Sequence, residues 1–85
     1  MDVCGGGTIS VGATSITFEN HHADDCTLSD CNLPGWPTTS PVVPKKVGGT
    51  AGTLTVPLNP PAVAGDYTYS PSCCTKRTNP TIKVQ

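Results

Sequence analysis

Ala64-Gly65-Asp66-Tyr67-Thr68-Tyr69-Ser70-Pro71-Ser72-Cys73-Cys74, followed closely by Asn79-Pro80-Thr81-Ile82-Lys83-Val84, is the stretch that decides the fold class. A turn glycine, Gly65, opens a strand expected over Asp66 to Ser70, in which Tyr67 and Tyr69 stand two residues apart. Successive side chains of a strand point to opposite faces, so the two rings share one face. Ile82 and Val84 repeat that spacing in the last run of the chain. A strand that runs into cysteines and is answered by a second strand reads as the closing hairpin of a β domain.

The same period of two recurs upstream. Thr8-Ile9-Ser10-Val11 reads as a first strand ended by a turn at Gly12. Thr14 to Asn20 alternates cleanly with Ile16 and Phe18 inward, and Thr53 to Leu58 alternates with Leu54, Val56 and Leu58 inward. Pro57 has no N–H to give a ladder, which places that strand at an edge or marks a bulge. A weaker strand is expected at Val42-Val43 or near Val47. Proline and glycine punctuate the chain about every 8–12 residues, which leaves little room for helix. Between the second and third clear strands, Ala23 to Leu33 is free of both and is expected to make a single helical turn. Pro34-Gly35-Trp36-Pro37 through Pro44 is expected to be extended loop. Gly48-Gly49-Thr50-Ala51-Gly52 lacks the Lys-Ser/Thr of a phosphate loop and reads as a turn. Together these runs predict an all-β fold, a small antiparallel β-sandwich over a single domain, residues 1–85.

Composition narrows the function classes. The chain has 85 residues, of which 35% are hydrophobic, with one Phe, one Trp and two Tyr. A core this thin in so short a chain leans on covalent or metal cross-links. Five cysteines supply them, and dense cysteine in a short chain points to an oxidising compartment, secreted or periplasmic. Net charge is −1 and only 13% of residues are charged, so there is no basic field for nucleic acid. No apolar run has the length to span a bilayer. No basic-then-apolar leader is present, so the chain reads as a mature form whose Met1 starts translation. Asn79-Pro80-Thr81 carries proline in the middle and is not a glycosylation sequon.

The densest polar cluster is His21-His22-Ala23-Asp24-Asp25-Cys26-Thr27-Leu28-Ser29-Asp30-Cys31. The Cys26-x4-Cys31 spacing falls in the range of zinc sites, and an upstream imidazole could add a ligand. Thiolate with imidazole suits zinc or copper. The competing reading makes Cys26 a disulfide partner, the aspartates loop solvation and the histidines exposed. Cys73 and Cys74 form the second candidate. A bond between adjacent cysteines closes an eight-membered ring that strains the intervening peptide, so the two are expected to bond different partners. Cys4, Cys26 and Cys31 are those partners: one bridge is expected to the N-terminal strand and the other to the long loop, and five being odd, one thiol is spare. The candidate metal residues are therefore His21, His22, Cys26, Cys31, Cys73 and Cys74, and all five cysteines are disulfide candidates.

The two ends together resemble a cupredoxin. In that family an early strand ending near Asn leads into a His-bearing loop, and a Gly-x-Tyr-x-Tyr strand runs into a Cys ahead of the last strand. Here those parts are Ile16-Thr17-Phe18-Glu19-Asn20-His21-His22, then Gly65 to Cys73, then Pro80 to Val84. Bacterial immunoglobulin-like domains, with an Ala-Gly-x-Tyr-x strand before their last strand, are similar to nearly the same degree. Either resemblance implies a Greek-key sandwich. Blue-copper chemistry is not carried over with it, because Thr75-Lys76-Arg77-Thr78-Asn79 supplies neither the His nor the Met that the family places after its Cys.

No Gly-x-Ser-x-Gly elbow and no calcium-loop spacing is present, and no catalytic residue is assigned. Trp36, held among prolines, is a candidate platform for a protein or carbohydrate partner, or else a lid folded back over the core. The expectation is a non-catalytic, disulfide-supported module that acts through its loops and needs no cofactor. The alternative is a module that holds copper or zinc on His and Cys.

Overall fold

Residues 1–75 and 79–85 are described in the structure, a computed structural model. Among the described residues eight strands form: β1 (Gly7–Ile9), β2 (Ser15–Asn20), β3 (Cys26–Ser29), β4 (Val42–Val43), β5 (Gly52–Pro57), β6 (Gly65–Thr68), β7 (Ser70–Pro71) and β8 (Thr81–Val84). They make three small sheets, ordered β1-β8-β6, β2-β5 and β4-β3-β7. The domain is all-β, with no helix among the described residues and therefore none long and apolar enough to cross a membrane.

The core follows from the pleat. Along β2 burial alternates so that Ile16, Phe18 and Asn20 face inward, and along β8 Ile82 and Val84 do the same. Val56, Leu28 and Val43 meet them from β5, β3 and β4. Phe18 is the hub: Tyr69 and Trp36 both pack edge-on against it, with ring centroids 5.6 Å and 5.9 Å away. Such edge-to-face pairs add about 1 kcal/mol each beyond their burial. β5 pairs only with β2, so Pro57 sits on an edge strand where its missing N–H removes no ladder bond.

Three expectations change. Residues 23–33 form no helical turn; β3 occupies Cys26–Ser29, paired with β4 on one side and β7 on the other. The reason is a short period-2 pattern, Cys26 and Leu28 buried with Thr27 and Ser29 between them, that polar neighbours conceal. The expected strand from Asp66 to Ser70 divides at Tyr69: β6 stays in the hairpin with β8, and β7 crosses to pair with β3. Finally, the pairing is not antiparallel throughout, because β1 runs parallel to β8. Gly6 (φ 65°) makes that approach feasible, since a Cβ there would overlap the Thr81 carbonyl.

The division at Tyr69 delivers its side chain to the core. Its hydroxyl donates to Val3 O at 2.8 Å and to Asp2 O at 3.3 Å, tying the C-terminal corner to the N-terminus. Burial, the main cause, pushes the phenol well above its ordinary pKa, so the group stays a neutral donor. We expect Tyr69→Phe to cost about 1–2 kcal/mol in urea denaturation, because it leaves a buried carbonyl unpaired. An unchanged midpoint would mean that the bond contributes nothing to stability.

Candidate functional site

The cysteines converge at one corner, built from three remote stretches. Met1 to Val3 runs beside β2: Glu19 N donates to Met1 O at 2.8 Å and Val3 N to Glu19 O at 3.1 Å. A tight turn follows, in which Gly5 N and Gly6 N donate to Asp2 O, and it presents Cys4. Beyond β7, Ser72 N donates to Thr27 O at 3.0 Å while its hydroxyl accepts from Thr27 N at 2.9 Å. That pair of bonds sets Cys73 against β3.

Two disulfides result, Cys4–Cys74 and Cys26–Cys73, with Cα–Cα distances of 5.6 Å and 4.9 Å. The adjacent cysteines take different partners, one N-terminal and one in the long segment between β2 and β5. The bridges span sequence separations of 70 and 47 residues. In the chain-entropy treatment a loop of that size is worth about 4 kcal/mol.

His22 completes the corner. Its Nε2 lies 3.1 Å from Cys4 Sγ, and its backbone is fixed from both sides: its N–H donates to Asn20 Oδ1 at 2.8 Å and its carbonyl accepts from Lys46 N at 2.9 Å. Asn20 is fully buried and fully used, since its Nδ2 also donates to Asp24 O and Val43 O. One side chain thus holds the loop, β4 and the histidine in register. The Sγ atoms of Cys4, Cys73 and Cys74 and a ring nitrogen of His22 all lie within 4.8 Å of one another, each residue half-buried.

Of the residues singled out in the sequence, His22, Cys73 and Cys74 come together here, and Cys26 stands one bond away through Cys73. His21 points elsewhere, exposed, with Nε2 3.4 Å from Glu19 Oε2, a surface pair of little energetic weight. Cys31 is the unpaired thiol and does not join the group; it lines a cleft of about 340 Å³ with Leu33 and Trp36. Trp36 is half-buried over Phe18, nearer to a lid than to a free-standing platform. Cys4 entered the sequence reading only as a bridge partner, although whatever partner Cys74 takes must share this corner. Asn20 was overlooked, yet it continues the inward phase of Ile16 and Phe18.

No protein-family model, curated protein sequence or solved structure matches this chain.

Burial raises the Cys31 thiol pKa, with a backbone hydrogen bond from Leu33 offsetting part of that. A raised pKa keeps the thiol protonated at pH values where an ordinary one, near about 8.5, is half ionised. We expect native-state alkylation of Cys31 to follow a pH profile displaced upward from that of the same chain in denaturant. Coincident profiles would show that the thiol is not desolvated.

Proposed function

We propose that this chain is a non-catalytic structural or interaction module of a secreted or periplasmic protein, held in shape by its disulfides. The observation that carries this reading is the convergence of both bridges on Cys73-Cys74, which joins the N-terminus, β3 and the C-terminal corner. Disulfides persist in oxidising compartments, and a domain with a thin core depends on them.

The chemistry of the corner favours a structural role. In the oxidised chain Cys4, Cys73 and Cys74 are spent as bridges, so His22 has no thiol to activate. The spare thiol, Cys31, has a raised pKa, the opposite of an activated nucleophile. Contacts with a protein or carbohydrate partner then fall to the exposed loops between strands, where binding residues concentrate. The likeness to cupredoxin and bacterial immunoglobulin-like modules belongs to this reading as a likeness of fold. Metal binding on His and Cys belongs to a different redox state of the same corner, because thiolates are its ligands.

The test is to export the chain to an oxidising compartment and weigh it intact, before and after denaturation with an alkylating reagent. We expect a metal-free protein four hydrogens lighter than its reduced formula, taking one alkyl group at Cys31, with peptides linked Cys4–Cys74 and Cys26–Cys73. We also expect protease resistance that disappears on treatment with a dithiol, since each bridge lost costs about 2–5 kcal/mol. An exported chain with three or more free thiols, or with stoichiometric zinc or copper, would sink the module reading.

A further inference from the structure

We propose that the reduced chain carries a four-coordinate zinc site made by Cys4, His22, Cys73 and Cys74, so that one corner of the fold serves as a pair of disulfides or as a metal centre according to its redox state. The proposal concerns the reduced chain and does not rest on the module reading.

The distances carry it. In a tetrahedral zinc site with Zn–S near 2.3 Å, two sulfurs stand about 3.8 Å apart, and a sulfur and an imidazole nitrogen about 3.5 Å apart. Cys73 Sγ and Cys74 Sγ are 3.9 Å apart, and Cys4 Sγ and His22 Nε2 are 3.1 Å apart. No two of the four ligand atoms are separated by more than 4.8 Å. The edge that departs most is Cys4–Cys74, a covalent bond in the oxidised chain. Reduction frees it to open by about 2 Å, the difference between a disulfide and a tetrahedral edge.

The ligand set is of the closed, structural kind, three thiolates and one imidazole with no position left for substrate. Three thiolates with one nitrogen on a tetrahedron favour zinc over the hard cations and over the square-planar demand of oxidised copper. His22 keeps its place without the bridges, because Asn20 and Lys46 hold its backbone. Tyr69, through its bonds to Asp2 O and Val3 O, holds the N-terminal segment that leads into the Cys4 turn.

The step balances. Each disulfide takes two electrons and two protons from a dithiol reductant, which closes into its own disulfide; two dithiols therefore release four protein thiols. Zinc displaces the protons of Cys4, Cys73 and Cys74. Cys26, fully buried in β3, lies outside the ligand set and remains as a small apolar side chain. Reoxidation joins Cys4 to Cys74 and Cys26 to Cys73 again and expels the metal; the four electrons pass to two external disulfides, which take up the Cys26 proton and three from solvent to become four thiols.

The test uses the full chain, reduced with a phosphine that does not compete as a thiol ligand. It is titrated with zinc against a chromophoric chelator, and with cobalt, whose thiolate charge-transfer absorption scales with the number of sulfur ligands. We expect one zinc per reduced chain and none per oxidised chain, with a cobalt spectrum of three thiolates. His22→Ala and Cys74→Ser should each weaken binding by about tenfold or more, whereas His21→Ala and Cys31→Ser leave it unchanged. Because metal binding and folding are coupled, a reduced apo chain that is unfolded still reports, provided that zinc restores strand signal in the parent and less of it in His22→Ala. Absence of stoichiometric binding overturns the proposal. So does an equal loss in His21→Ala and His22→Ala, or a loss in Cys31→Ser or Cys26→Ser as large as that in Cys74→Ser. Failure here leaves the two-disulfide module intact, and an exported chain that arrives loaded with zinc would sink the module reading while sparing this one.

Discussion

Adjacent cysteines cannot easily bond to each other, and much of this fold depends on that constraint. Cys73 and Cys74, barred from a strained ring, reach two different partners, and those partners lie at the N-terminus and in β3. The chain is thereby closed into two large loops at a single corner. Their effect falls mainly on the unfolded chain, whose freedom they remove. Thirteen apolar residues are buried among the described residues, and a core that thin leans on such cross-links.

Hydrogen bonds set the corner's geometry independently of the sulfur. Asn20 makes three bonds from a fully buried position, and losing its amide would remove the partner of the His22 N–H and a donor from each of the Asp24 and Val43 carbonyls. A buried polar group that is fully satisfied fixes one arrangement, because every alternative leaves donors or acceptors unpaired. Tyr69 acts likewise from the other side, with its ring in the aromatic group around Phe18 and its hydroxyl on the backbone of Asp2 and Val3.

Legibility in the sequence tracked the local strength of the pattern. β2, β5 and β8 have period-2 runs of four residues or more, and each was readable with its inward residues nearly in place; Leu54 alone is half-buried where full burial was expected. β3 was hidden, because two apolar residues among aspartates and serines give too short a signal to outweigh the absence of Gly and Pro. The parallel β1–β8 pairing joins the two ends of the chain, and no local pattern encodes it. In the candidate site, the division of labour between Cys73 and Cys74 followed from ring strain alone. Which histidine faces them did not, since His21 and His22 are neighbours and the bonds that seat the His22 backbone come from Asn20 and the remote Lys46.

The order that the corner retains without its bridges depends on tethers of that kind. A metal site gains affinity when its ligands are placed in advance, and it loses affinity to the extent that binding must order them. Here the histidine is placed by Asn20 and Lys46, Cys4 by its turn on Asp2 O, and Cys73 by the Ser72 bonds to Thr27. None of those contacts involves a disulfide. Cys74 alone lacks such a backbone tether among the described contacts, and it follows Cys73 directly in the chain. The four ligand atoms are therefore brought together chiefly by hydrogen bonding and by the β3–β7 pairing, and the disulfides lock a proximity that the backbone already favours. A cation can use the same proximity once the sulfurs are reduced, standing in for the bridges that the thin core needs, so that metal binding and folding of the reduced chain are coupled.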